Sequence, residues 1–161
     1  MAVYTRVGQG FDIHRTEAGR ALLLGGVQIA ADFGLAGHSD ADVLLHAVTD
    51  ALLGALAAGD IGQWFPDSAP EWEGADSRRL LRHVVHSPQM AGWGVINVDS
   101  TVVAERPRLA PHIAEMRQSI ADILQLQLTR VSVKAKTMEG IGAIGRGEAI
   151  SAYASVLVRR I

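Results

Sequence analysis

Two short stretches hold the residues best suited to chemistry. Asp12-Ile13-His14 sets a carboxylate and an imidazole two positions apart, and on a strand positions i and i+2 project from the same face. His46 closes the segment His38-Ser39-Asp40-Ala41-Asp42-Val43-Leu44-Leu45-His46 and stands among Val43, Leu44, Leu45, Ala47 and Val48. An imidazole in such apolar surroundings needs a partner or a metal. One carboxylate and two imidazoles form a ligand set that leaves a fourth position exchangeable, which is how a catalytic zinc site differs from a closed structural one. Asp42 and Asp50 fall one turn either side of His46, so either is a candidate acceptor for the far ring nitrogen of a liganding imidazole. A D-x-H pair alone is a weak signal; its weight comes from the strand that leads into it and the helix that carries His46.

The elements that must position these residues are readable from hydrophobic period and punctuation. Residues 3–13 read as a Gly-rich strand ending in the D-x-H. Residues 21–29 form a hairpin turning at Gly25-Gly26, and Phe33 to Gly37 is a Gly-rich loop. A helix is expected over 40–58, with Ser39 or Asp40 as its cap and Gly59 as its stop. Residues 60–74 are loop. A second helix starts near Asp76-Ser77 and runs through Leu80, Leu81, Val84 and Val85 until Pro88 interrupts it. Residues 94–106 alternate as a long strand. Pro111 opens a third helix with Ile113, Met116, Ile120 and Leu124 on one face. Residues 129–137 and 148–159 are further strands, separated by the Gly-rich loop 140–145. This order predicts an α+β fold, a single domain over residues 1–161, with a mixed sheet covered by helices on one face. The other face is expected to carry apolar residues, Ile150 and Val156 among them, and hence to be covered by oligomerisation.

Composition removes several function classes. The chain has 161 residues, 48% hydrophobic and 20% charged, with a net charge of −2. Such a chain builds a core and gives no electrostatic reason to bind nucleic acid. Without cysteine there is no disulfide, thiolate ligand or cysteine nucleophile, which suits a reducing compartment. The strand starting close to Met1 leaves no room for a leader peptide, and no apolar run approaches the ~20 residues of a membrane span. A cytoplasmic location is expected.

Taken in order, the motifs add up to more than any one of them. Gly10-Phe11-Asp12-Ile13-His14, Leu24-Gly25-Gly26-Val27, the His38 to His46 segment, Thr49-Asp50-Ala51-Leu52-Leu53-Gly54-Ala55, Gly59-Asp60-Ile61-Gly62, Phe65-Pro66-Asp67, Gly74-Ala75-Asp76-Ser77, Asn97-Val98-Asp99, Pro111-His112-Ile113 and Gly145-Arg146-Gly147-Glu148 together resemble the 2-C-methyl-D-erythritol 2,4-cyclodiphosphate synthases, the cyclases of the non-mevalonate isoprenoid pathway. The resemblance spans essentially the whole chain. It implies a homotrimer whose sheets face one another and whose active sites lie between neighbours. It implies that Asp12, His14 and His46 hold a divalent metal, usually zinc, and that Glu139 holds magnesium or manganese on the substrate diphosphate. His38 and Ser39 would contact phosphate, and Thr137 with His38 would steady the transition state. Asp60, Ile61 and Gly62 would bind the ribose or the erythritol chain, beside Phe65, Pro66 and Asp67. Ala104, Pro107, Arg108, Leu109 and Ala110 would close around the cytosine, with Lys136 and Met138 beside the diphosphate. Ala143 and Arg146 would lie toward the trimer axis, Arg146 beside Glu148 at a cavity that takes isoprenoid diphosphates in the family. Lys136 replaces the family's small hydroxyl residue, and Ala143 an aromatic present in some members.

The implied reaction is an intramolecular phosphoryl transfer that releases CMP. A phosphate dianion is already nucleophilic at neutral pH, so the lack of a convincing nucleophile–base pair in the chain suits it. Two rivals use the same residues differently. A zinc phosphohydrolase would need an activated water and a base. A non-catalytic trimer sensing isoprenoid diphosphates would not need the Asp12, His14 and His46 set.

Overall fold

A computed structural model describes residues 4–161; the first position of the expected strand 3–13 lies outside them. The sheet is five-stranded in the order β4-β1-β7-β5-β6. Its strands are β1 (Thr5–Ala18), β4 (Phe33–Leu35), β5 (Trp93–Val103), β6 (Val131–Lys136) and β7 (Ala149–Arg160). β5 and β6 are parallel and the other pairings antiparallel. β2 (Leu22–Leu24) and β3 (Val27–Ile29) form the separate hairpin that Gly25-Gly26 predicts. The longer helices are α1 (Val43–Leu56), α3 (Ser77–Val85) and α4 (Ile113–Leu124); single helical turns, α2 (Ile61–Trp64) between α1 and α3 and α5 (Gly142–Gly145) between β6 and β7, interrupt the stretches read as loop. This is the expected α+β architecture. The segment 33–35, read as loop, instead pairs with the far end of β1, because β1 runs four residues beyond the D-x-H and leaves an edge to fill.

α1 is apolar nearly all round, with Val43, Leu44, Leu45, Val48, Leu52 and Leu53 fully buried. It lies directly on β1 where that strand has no side chains. A Cβ at Gly10 would fall under 3.0 Å from the Ala47 carbonyl and the Ala51 nitrogen, and one at Gly8 would strike Ala51 and Ala55 in the same way. Gly8, Gly10, Asp12 and His14 alternate onto this helix-facing side, so the two glycines bring strand and helix together and the next two positions deliver ligands beside His46.

The ends of α1 differ from expectation. Its cap is Asp42, whose side chain accepts from Leu45 N, and it stops at Ala57 in the left-handed region. Asp42 also accepts from the Gly25 and Gly26 amides at 2.8 and 2.6 Å, tying the β2–β3 turn to the helix start. Asp40 serves α3 instead: its carboxylate accepts from Ser77 N at 2.9 Å. The faces of β7 are also the reverse of expectation. Val156 pairs with Gly8 and Ile150 with His14, so both are buried under the helices. The uncovered face carries Val7, Phe11, Ile13 and Tyr153, from 45 to 71% exposed, with Phe11 and Tyr153 rings 4.8 Å apart.

Gly10→Ala is expected to destabilise the protein by about 3 kcal/mol in urea denaturation and to weaken metal binding, because the helix must withdraw from the strand that faces it. Unchanged stability would mean that β1 and α1 are not in backbone contact.

Candidate metal and phosphate site

Asp12 and His14 reach the site from β1, and His46 from one turn inside α1. Asp12 Oδ2 lies 2.9 Å from both His14 Nε2 and His46 Nδ1, and the two ring nitrogens are 3.1 Å apart. Metal–nitrogen bonds of ~2.0–2.1 Å in a tetrahedral shell put ligand atoms about 3.3 Å apart, so this triangle is close to what a small divalent cation requires. The donor chemistry, two imidazoles and one carboxylate, suits zinc and neighbouring transition metals. The group can hold a metal ion.

The charges on the triangle are interdependent. Burial pushes the Asp12 carboxyl up, but its imidazole neighbours, His14 foremost, outweigh it and hold Asp12 well below the usual carboxylate range. Burial pushes His14 down; the hydrogen bond and charge of Asp12, helped by the Ala36 backbone, outweigh that and raise it. The far nitrogen of His46 is held neither by Asp42 nor by Asp50. Asp42 is committed to backbone amides, and Asp50 accepts from Ile61 N at 2.8 Å. His46 Nε2 instead meets Ser77 Oγ at 2.9 Å and Ser39 Oγ at 3.1 Å. Helical spacing from His46 cannot reveal Ser77, which comes from another helix; the helix start near Asp76-Ser77 places Ser77 only in the first turn of α3.

A cavity of about 220 Å³ opens over the triad and is lined also by His38, Ser39, Ile61, Gly62, Phe65 and Asp67, with Trp72 and Leu80 in its wall. The loop bearing His38 and Ser39 is strapped down by Arg20, which donates to the Gly37 and Ser39 carbonyls at 3.0 and 2.9 Å. Asp60 and Pro66 do not line this cavity: Asp60 caps α2, accepting from Gln63 N at 2.9 Å, and Pro66 is exposed in the following turn. A second cavity, about 260 Å³, is lined by Ala104, Pro107, Arg108, Leu109, Ala110, Lys136 and Thr137. Beyond β6, Thr137 Oγ1 donates to Glu139 at 2.8 Å and Met138 N donates to Glu105. Ala143 and Arg146 are exposed, and Arg146 pairs with Glu148 at 2.6 Å.

One chain therefore brings most of the expected residues together in two groups, not one, and leaves Ala143 and Arg146 in neither. β7 and β5 lie between β1 and β6, so at a strand spacing of ~4.8 Å the groups stand roughly 14 Å apart. Glu139 belongs to the second group and cannot share a shell with the Asp12 triad of its own chain.

Residues 5–159 match the YgbB family. The chain belongs to that family. A 2-C-methyl-D-erythritol 2,4-cyclodiphosphate synthase from Syntrophomonas wolfei is 59% identical over 155 residues, 96% of this chain and 99% of that protein. One from Geobacter sulfurreducens is 57% identical over 95% of this chain and 98% of that one. Among solved structures, a synthase of that name in a CDP-bound form superposes with a TM-score of 0.87 at 37% identity, over 95% of this chain and 99% of the other. The bifunctional IspDF of Campylobacter jejuni superposes with a TM-score of 0.94 at 40% identity, and this chain spans 43% of its length. The YgbB fold thus accounts for the whole described sheet, and the Asp12, His14 and His46 triangle sits within it.

The titrations have opposite signs. The lowered pKa of Asp12 stabilises the fold above the ordinary aspartate value near ~4 and is lost as pH falls through and below it. The raised pKa of His14 stabilises below ~6.5 and is lost as pH rises through the raised value. Stripped of metal, the protein should exceed His14→Asn in urea stability most between about pH 4.5 and 6.5, with the margin shrinking on either side. A margin that keeps growing to pH 8 would contradict the Asp12–His14 pairing.

Proposed function

We propose that this protein is a metal-dependent cyclase that converts 4-diphosphocytidyl-2-C-methyl-D-erythritol 2-phosphate to 2-C-methyl-D-erythritol 2,4-cyclodiphosphate and CMP, in isoprenoid precursor synthesis. The observation that carries the reading is the Asp12, His14 and His46 triangle at the floor of a cavity edged by the His38–Ser39 loop. An oxygen of the 2-phosphate forms a bond to the β-phosphorus while the bond from that phosphorus to the α–β bridging oxygen breaks, and the bridging oxygen leaves with CMP. No proton has to be removed from the nucleophile, so the chain's task is to position and to neutralise charge. His38 and Ser39 hold phosphate oxygens, and Ile61, Phe65 and Leu80 form an apolar wall for the erythritol chain. Asp60 and Gly62 meet its hydroxyls or the ribose. Thr137 holds the diphosphate, with Lys136 and Met138 beside it, and the 104–110 segment encloses the cytosine. A divalent ion on Asp12, His14 and His46, zinc by preference, and magnesium or manganese at Glu139 would supply charge neutralisation at the diphosphate.

The two separated half-sites make sense in a homotrimer in which the second cavity of one chain completes the triad cavity of its neighbour. A cyclic arrangement joins unlike surfaces in this way. The apolar patch of Val7, Phe11, Ile13 and Tyr153 on the helix-free face supports it. We place the enzyme in the cytoplasm, in keeping with a chain that lacks cysteine; no helix among the described residues is long and apolar enough to cross a membrane.

Phosphorus NMR of the products tests the reaction. With magnesium and the cytidyl diphosphate substrate, CMP and a cyclic diphosphate should appear, and both should vanish with a chelator or in His46→Ala. Inorganic phosphate in their place would replace the cyclase by a phosphohydrolase. The assembly has its own test. Phe11→Lys with Tyr153→Lys should reduce the mass in light scattering to one third and abolish turnover while each chain still binds its zinc; a full-activity monomer would refute the shared site.

A further inference from the structure

We propose that Ser77, aimed by Asp40, is a positioning residue that sets the tautomer of His46 and so points its Nδ1 lone pair at the metal. The proposal rests on the metal-binding reading of the triad but not on the reaction assigned to it. Asp40 accepts from two backbone amides, Ser77 N at 2.9 Å and Asp42 N at 3.2 Å. With both of its carboxylate oxygens receiving amide hydrogens, Asp40 acts as an acceptor. The close contact of Asp40 Oδ1 with Ser77 Oγ therefore uses the serine hydroxyl proton. With that proton spent, Ser77 Oγ can only accept, and its 2.9 Å contact with His46 Nε2 must be an N–H donated by the ring. In a neutral imidazole only one nitrogen carries hydrogen, so Nδ1 is left bare. That bare nitrogen faces Asp12 Oδ2 at 2.9 Å. Two acceptors at that distance repel unless a cation lies between them, so the relay prepares the site for a metal from behind.

Burial makes the relay selective. Ser77 is 1% exposed, which excludes water as a substitute donor or acceptor. Ser39, although also on Nε2, has a different role. Its Oγ accepts from Ala41 N at 3.2 Å as well as from the ring, so its own proton remains free, and Ser39 lines the cavity. Of two hydroxyls on one nitrogen, one is tied backward to a carboxylate and the other can donate forward to an anion.

The test needs no phosphorylated substrate, so it stands apart from the cyclase assignment. Zinc dissociation constants are measured on the full chain by competition with a chromophoric chelator. The ring tautomer of His46 is read from nitrogen-15 shifts of the metal-stripped protein. Ser77→Ala should weaken zinc binding ~10–100-fold and convert a single Nε2–H form to a mixture. Ser77→Thr, which keeps the hydroxyl, should restore both within about threefold. Asp40→Asn keeps the volume of the side chain and leaves Ser77 in place, but its amide can donate to Ser77 Oγ and free the serine proton to turn on the ring; it should shift the tautomer in the same direction. If Ser77→Ala and Asp40→Asn both retain wild-type zinc affinity and a single tautomer, the proposal fails. It fails equally if the affinity of Asp40→Asn falls while its tautomer does not change, because the loss would then be one of packing.

Discussion

The contact between the bare backbone of β1 and the carbonyl side of α1 is the constraint on which the rest depends. Gly8 and Gly10 allow the strand to lie against Ala47, Ala51 and Ala55 with no side chain between. A metal triangle needs its ligand atoms placed to a few tenths of an ångström. Here two ligands come from one strand and the third from the helix pressed on it, so the spacing follows from one backbone interface. The alternation that hides the glycines also directs Asp12 and His14 inward and leaves Phe11 and Ile13 on the open face. One register therefore decides both the site and the apolar patch.

The acidic residues between 40 and 50 divide the work around that interface. Asp42 gathers the amides of Gly25, Gly26 and Leu45 and joins the hairpin to the start of α1. Asp40 reaches the other way, to the first turn of α3. Asp50 closes the end of the site by accepting from Ile61. Each carboxylate satisfies backbone donors that would otherwise be stranded, and none has to touch the metal. Polar groups are thus dense around the triad, yet none of these three carboxylates lines the cavity, whose acidic residues are Asp12 and Asp67.

Much of this was legible in the sequence, and the failures have physical causes. The D-x-H, the hairpin at Gly25-Gly26 and the helix start near Asp76-Ser77 are local patterns, and the fold contains them. The cap of α1 was misread because Ser39, Asp40 and Asp42 are all competent caps, and only backbone dihedrals separate them. Periodicity reports only neighbours along one element and so offers Asp42 and Asp50 as partners of His46, whereas Ser77 arrives from α3. The two faces of β7 were exchanged because alternation says that two faces exist but not which is inside; pairing with Gly8 and His14 decides it. The division of the site into two cavities was invisible because it depends on how many strands separate β1 from β6, a property of sheet order.

The glycine interface has a consequence for how the protein tolerates change. In most cores the distance between a strand and a helix is an average over interlocking side chains, and it drifts when any one of them gains or loses a methylene. Where backbone rests on backbone there is nothing to interdigitate. Volume changes at Leu44, Leu53 or Met116 will move α1 against its helical neighbours, but the strand side of the helix is a hard stop. The metal triangle is in that sense insulated from drift in the core behind it. The interior of this chain can change while ligand spacing stays constant, and such freedom ends at two positions without side chains.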